Sequence, residues 1–264
     1  MENEHKDGKF PENERRIAVL IDADNVSKKY IGYILDEIAN HGIPTYKRIY
    51  GDWTGPRLGP WKEKLLEYSI TPIQQYSYTT GKNATDSALI IDAMDILYSE
   101  SVDGFCIVSS DSDFTRLAAR LREAGKFVLG MGEKKTPRPF IASCEKFKYL
   151  EALSSTNKMV DDVVAVPKAP ENPADDPKKL VPVLKNIINE ISDEDGWAFM
   201  GDVGNMLSKR KPDFDTRNYG FQKLTPLVSS LKVFEIMTQK TSNPHITHKF
   251  IRNKQKKQQS GKAR

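Results

Sequence analysis

Cysteine is scarce in this 264-residue chain, which has only Cys106 and Cys144. Two thiols cannot staple a small secreted fold or complete a four-ligand zinc module. Histidine is nearly as rare, at four residues. The spacing His245-x-x-His248 falls on an expected strand without Cys or acidic partners, which argues against a zinc site. No apolar run approaches the roughly 20 residues of a membrane helix. The start, MENEHKDGKF, is polar and acidic and does not resemble a secretory leader. These absences predict a soluble protein of a reducing compartment, cytoplasmic and without a membrane partner. A P-loop, a Ser–His–Asp set and an internal repeat are also missing.

What is present is enough apolar residue for a core, 38%, with a high charged fraction of 29%. The length suits one or two domains. The net charge of +4 conceals an uneven layout. Residues 15–153 are close to balanced, with 19 basic and 18 acidic groups. Residues 154–177 hold Pro167, Pro170, Pro173 and Pro177 with an acidic excess and little periodicity, and read as a linker. Residues 178–251 are basic on balance, and the tail 252–264 carries six Lys and Arg and no acid. A basic end of this kind suits a polyanion.

The first domain alternates two kinds of segment. Ile17–Ile21, Thr45–Tyr50, Thr71–Tyr76, Gly104–Ser109 and Phe127–Met131 read as strands, several of them continuous apolar runs of the buried parallel type. Lys29–Asn40, Leu58–Tyr68, Ala84–Tyr98 and Asp113–Ala124 read as helices, and Ala84–Tyr98 is apolar almost all round, which predicts a central buried helix. The βαβαβαβαβ order predicts a three-layer α/β domain with a mostly parallel sheet.

Ligands of such sheets bind beyond the carboxyl ends of the strands. Here those ends are acidic. The first strand runs into Asp22-Ala23-Asp24-Asn25 and the fourth into Ser109-Ser110-Asp111-Ser112-Asp113. Asp86 opens the long helix on the same face as Ile90, Ala93 and Leu97, so it points to the rim of the same pocket. Asp92 and Asp95 lie off that face and suit structural or supporting roles. Each acid alone has an ordinary explanation as a turn or cap residue. Jointly, carboxylates in one pocket demand a counter-charge. Oxygen-only ligands favour a hard ion, Mg²⁺ or Mn²⁺, and such an ion at a phosphate supports phosphodiester hydrolysis.

The second domain reads as three helices, Leu180–Ile191, Met200–Ser208 and Thr216–Leu231. Two strands follow, Val233–Thr238 and His245–Ile251, joined by the wing Gln239–Pro244. That is a winged helix. Lys209, Arg210, Lys211, Arg217 and Lys223 are candidate phosphate contacts, as is Lys82 on the turn into the long helix.

The runs Leu20-Ile21-Asp22-Ala23-Asp24-Asn25, Lys82-Asn83-Ala84-Thr85-Asp86 and Ser109-Ser110-Asp111-Ser112-Asp113-Phe114 resemble the NYN domain of the PIN-like nuclease superfamily, in its LabA-like branch. The resemblance implies a Rossmannoid fold and divalent-metal-dependent ribonuclease activity. It maps the catalytic and metal-binding acids onto Asp22, Asp86, Asp111 and Asp113, with Asp24, Asn25 and Ser110 supporting them. Ser110 stands where the family often has Gly. The words Asp195-Gly196-Trp197, Lys211-Pro212-Asp213-Phe214-Asp215 and Arg217–Leu224 resemble the LOTUS (OST-HTH) domain, which implies binding of RNA, single-stranded, or recruitment of a protein partner. Two other readings compete. One is an RNA-binding or regulatory adaptor without catalysis. The other is a haloacid-dehalogenase-like phosphatase with Asp22 as nucleophile in Asp22-x-Asp24-Asn25-Val26.

Overall fold

The computed structural model describes residues 15–76, 84–156, 175–240 and 247–254. They divide into two compact units, with the division between Val163 and Val164.

The first unit is a six-stranded parallel sheet between two helical layers. Its strands are β1 (Arg16–Asp22), β2 (Ile43–Gly51), β3 (Thr71–Gln74), β4 (Gly104–Val108), β5 (Phe127–Gly132) and β6 (Lys146–Tyr149), in the order β3-β2-β1-β4-β5-β6. The helices are α1 (Ile31–Ala39), α2 (Lys62–Tyr68), α3 (Ala84–Tyr98), α4 (Thr115–Glu123), α5 (Arg138–Ser143) and α6 (Leu150–Thr156). Strand periodicity sorts β1 onto both faces. Ile17, Val19 and Ile21 join α1, Trp61 and Leu65 on one side. Ala18 and Leu20 join Leu89 and Ala93 of α3, Leu117 of α4 and Phe140 of α5 on the other. Truncating a core side chain such as Leu89 to Ala therefore costs about 2–5 kcal/mol.

Three features differ from the sequence expectation. First, α3 is not buried all round. Leu89, Ala93, Ile96 and Leu97 are buried, but Ile91 is 62% and Tyr98 70% exposed, because one helical layer covers only one face of the helix. Second, the sheet has a sixth strand, Lys-Phe-Lys-Tyr, paired with β5 through Phe147 opposite Gly130. A four-residue edge strand carrying lysines hides from a search for apolar runs, and edge lysines also discourage further pairing. Third, three of the expected helices begin as 3-10 turns, Lys28–Tyr30 before α1, Pro56–Trp61 before α2 and Ser112–Phe114 before α4.

Asp92 has a structural assignment. From α3 it accepts hydrogen bonds from the Arg48 guanidinium and the buried Tyr50 hydroxyl, both on β2. Burial and this carboxylate push the Tyr50 phenol upward. Asp95 is exposed. Cys106 and Cys144 are buried free thiols of the core.

The second unit contains α7 (Val181–Ile191), β7 (Ala198–Phe199), α8 (Met200–Arg210), α9 (Leu224–Ser230), β8 (Phe234–Lys240) and β9 (Thr247–Asn253). Leu184, Ile187, Val203, Leu207, Leu227, Val228, Phe234 and Ile251 form its core. The expected helix Thr216–Leu231 is broken. A 3-10 turn, Thr216–Tyr219, stops at Gly220 in the left-handed region (φ 79°), and α9 starts afresh at Leu224. Glycine takes that conformation without the Cβ penalty. The two-stranded hairpin also gains a third strand, β7, paired antiparallel to β9. The wing tip, with His245, lies outside the described residues, as do Lys82, residues 157–174 of the expected linker and residues 255–264 of the tail. Because β9 runs to Asn253, Arg252 and Asn253 belong to the folded unit.

Replacing Asp92 by Ala removes the shared acceptor of Arg48 and Tyr50. The expected loss is about 2–3 kcal/mol, read as a lower urea midpoint with an unchanged slope.

Candidate active site

The strand order reverses between β1 and β4, which leave the first strand's end beside the fourth's. Such a switch point opens a crevice at the carboxyl edge. Asp22 ends β1 and is fully buried. Its Oδ1 accepts the Asp24 backbone N–H (3.0 Å), and its Oδ2 accepts Asn25 Nδ2 (2.7 Å) and Ser109 Oγ (2.8 Å). Burial pushes the Asp22 carboxyl up, and these donors pull it part of the way back.

Ser109 links the two strand ends. Its hydroxyl donates to Asp22 and accepts the Asp111 backbone N–H at 3.1 Å. Asp111 then caps the 3-10 turn Ser112–Phe114, its Oδ1 accepting from Asp113 N at 3.0 Å. The cap residue is thus Asp111, leaving the Asp113 side chain to the solvent side. Ser110, almost buried, accepts the Glu133 backbone N–H at 2.9 Å and ties the loop to the end of β5. A hydroxyl where glycine is common therefore has a local use.

Asp86 lies in the first turn of α3. One carboxylate oxygen each from Asp86, Asp111 and Asp113 lies within 4.8 Å of the others. Asp22 lies outside this trio, behind Ser109, but its charge reaches Asp86. The Asp86 carboxyl is pushed up to about 6, first by desolvation and then by Asp22, Asp111, Asp113 and Asp24. An open cleft of about 490 Å³ beside the trio is lined by Asp86, Ile90, Asp113 and Arg116, among others.

Asp24 faces elsewhere. It pairs with Arg57 and accepts the buried Thr85 hydroxyl at 3.3 Å. Sequence reasoning misses Ser109, Thr85, Arg57 and Arg116. Ser109 stands within the acidic motif, but its bond to Asp22 spans 87 positions, and nothing local announces it.

In the second unit Lys209 and Lys223 are exposed and Lys211 half-buried. Lys209 and Arg210 close α8, where cations complement the helix dipole. Arg210 is paired with Glu190. Arg217 is folded onto Asp215 (Nε 2.9 Å, Nη2 2.6 Å), so its guanidinium is already engaged.

An acid-lined crevice at the switch point of a doubly wound sheet, in a chain that also carries a winged-helix unit, defines a PIN-like protein with an added helix-turn-helix module. Residues 16–151 match the family model of the NYN domain and residues 175–246 that of the OST-HTH/LOTUS domain. The chain belongs to the NYN domain family. An uncharacterized protein of Methanocaldococcus jannaschii is 27% identical over 123 residues, 45% of this chain and 48% of that protein. The chain thus spans about half the length of this relative. A crystal structure of a protein of unknown function from Vibrio parahaemolyticus is 19% identical, covering 52% of this chain and 94% of its own, with a TM-score of 0.44. A solution structure of an uncharacterized Nitrosomonas europaea protein is 30% identical over 36% of this chain and 91% of its own, with a TM-score of 0.29. Among the described residues no helix is long and apolar enough to cross a membrane.

The raised pKa of Asp86 makes a prediction. Its folded-state carboxyl holds a proton to about pH 6, whereas an unfolded Asp releases it near 3.9. The stability it contributes is therefore present below about pH 4 and lost as pH rises through 6. Asp86→Asn should raise the thermal midpoint of the EDTA-treated protein at pH 7 by a few degrees, about 1 kcal/mol after allowing for solvent screening at this half-exposed site. The gain should shrink toward pH 4. Millimolar Mg²⁺ or Mn²⁺ should stabilise the wild type and not the variant.

Proposed function

We propose that the chain is a divalent-metal-dependent ribonuclease that cleaves RNA phosphodiester bonds, with the C-terminal winged-helix unit adding RNA affinity. The carrying observation is the convergence of Asp86, Asp111 and Asp113, with Asp22 behind them. The donor set fits a hard cation. It is all oxygen, and the neighbouring acids add to desolvation in the upward shift of Asp86. Asp86, Asp111 and Asp113 would hold the ion, Mg²⁺ or Mn²⁺. When bound, such an ion supplies Lewis acidity toward phosphate oxygens and acidifies water.

The chain's own residues supply position and charge. Asp22, through Ser109, fixes the backbone that presents Asp111. Asn25 satisfies the buried Asp22 oxygen that Ser109 shares. Asp24 holds Arg57 at the same edge. Arg116, on the cleft wall beside Asp113, offers a guanidinium to a substrate phosphate. Lys209, Lys211 and Lys223 offer point charges for an RNA backbone, whereas Arg210 and Arg217 would first have to leave Glu190 and Asp215. The phosphatase alternative needs Asp22 as an open nucleophile, and its carboxylate is fully buried with both oxygens engaged.

Labelled single-stranded RNA incubated with the protein in Mn²⁺, Mg²⁺ or EDTA tests the reading. Cleavage should require the cation and fall about a hundredfold or more in Asp111→Asn. Cleavage that survives EDTA or the substitution would refute it, and salt-sensitive binding without turnover would support the adaptor instead. Ser109→Ala should lower cleavage while costing about 1–3 kcal/mol of stability, because Asp22 loses a buried donor. Removing residues 255–264, which leaves β9 whole, should weaken RNA binding. It should also flatten the log–log salt dependence, by about 0.7 for each phosphate the shortened chain no longer neutralises.

A further inference from the structure

We propose that the outward face of the β7-β9-β8 sheet is a base-stacking platform for single-stranded RNA, centred on Phe199 and Phe250. The proposal rests on the RNA-binding half of the reading above.

The pleat separates two faces of this sheet. Ala198, Ile251, Phe234 and Ile236 turn inward and build the core of the unit. The register places Phe199 opposite Phe250, Phe250 opposite Met237, His248 opposite Gln239 and Arg252 opposite Glu235. These residues alternate with the core residues and so share the outer face. Phe199 is 38% and Met237 40% exposed, and His248 is exposed as well. The Phe199 ring lies 5.3 Å from that of His248 and 5.8 Å from that of Phe250. At the end of the face the Arg252 guanidinium sits 4.5 Å over the Trp197 ring.

Exposed aromatics on a β-surface, with one arginine stacked at its end, match the surfaces on which unpaired bases stack. Charge favours RNA over an apolar protein partner. The strand that carries His248, Phe250 and Arg252 leads in sequence to Lys254, Lys256 and Lys257, and no acid occurs from 252 to 264. Glu235 is the acid of the face, and Arg252 neutralises it. The Phe199 ring also leans over Gly201 at the start of α8. A Cβ there would come within 2.6 Å of ring atom Cε1, so even an alanine would push the ring from its place.

The test measures binding of the full chain to a labelled oligoribonucleotide, in EDTA, across a salt series. An abasic strand of equal length serves as the control. Phe199→Leu keeps apolar bulk but loses the ring, and should weaken RNA binding about tenfold with an unchanged salt slope. Phe199→Tyr should bind like the wild type. Gly201→Ala should weaken binding without lowering thermal stability, which separates ring displacement from misfolding. None of these variants should alter binding of the abasic strand. The proposal fails if Phe199→Leu and Gly201→Ala bind RNA like the wild type, or if they lose equal affinity for the abasic strand. It also fails if Phe199→Leu changes the oligomeric state and leaves RNA affinity intact, which would make the face a protein interface. Because binding is read without the cation, absent cleavage refutes the nuclease and leaves the platform standing. Intact cleavage with unchanged Phe199→Leu binding refutes the platform alone.

Discussion

Repulsion among carboxylates at one sheet edge is the constraint around which the first unit is arranged. Asp22, Asp86, Asp111 and Asp113 converge there; desolvation raises the carboxyls of Asp22 and Asp86, and at Asp86 the neighbouring acids raise it further. Three donors make the burial of Asp22 tolerable, from Asp24 N, Asn25 and Ser109. Ser109 then passes the order on to Asp111. The rest of the edge counters charge outward from this centre, Arg57 on Asp24 and Arg48 on Asp92. Acids held this close at neutral pH are the arrangement that the proposed cation would relieve.

The sheet supplies the necessary rigidity. β1 and β4 are neighbours only because the chain crosses between β3 and β4 through α3 to the far side of β1. The same crossover delivers Asp86. Fold and site are therefore one construction, and Leu89 and Ala93, buried under the sheet, fix the helix whose first turn carries the acid.

Much of this was legible in the amino-acid order. The apolar runs ending in Asp22 and Ser109 marked two central strands, and the bounds of α3 followed from its pattern and its entering turn. β6 was not legible, because Lys146 and Lys148 interrupt its only core residue pattern around Phe147. The broken third helix of the second unit turned on one Gly220, which a long helical period can tolerate on paper but which here adopts positive φ. The acids of the site were readable from their positions at element ends. Their supports were not, since Ser109 to Asp22, Thr85 to Asp24 and Arg57 to Asp24 are contacts between distant parts of the chain. Arg217 shows the reverse limit: a basic residue in a promising word spends its charge on Asp215 two positions away.

Charge is distributed unevenly between the two units. Acid gathers at the edge proposed for chemistry, and base collects in the C-terminal third proposed for grip, so the two nearly cancel in the net +4. The central claim is that Asp86, Asp111 and Asp113 form a cation site on which RNA cleavage depends. Titrating Mn²⁺ into the metal-free protein while following both calorimetric binding and RNA cleavage tests it most directly. Saturable binding that tracks the onset of cleavage, with both lost in Asp111→Asn, is the result expected. Binding indifferent to that substitution, or cleavage before any cation binds, would contradict the account.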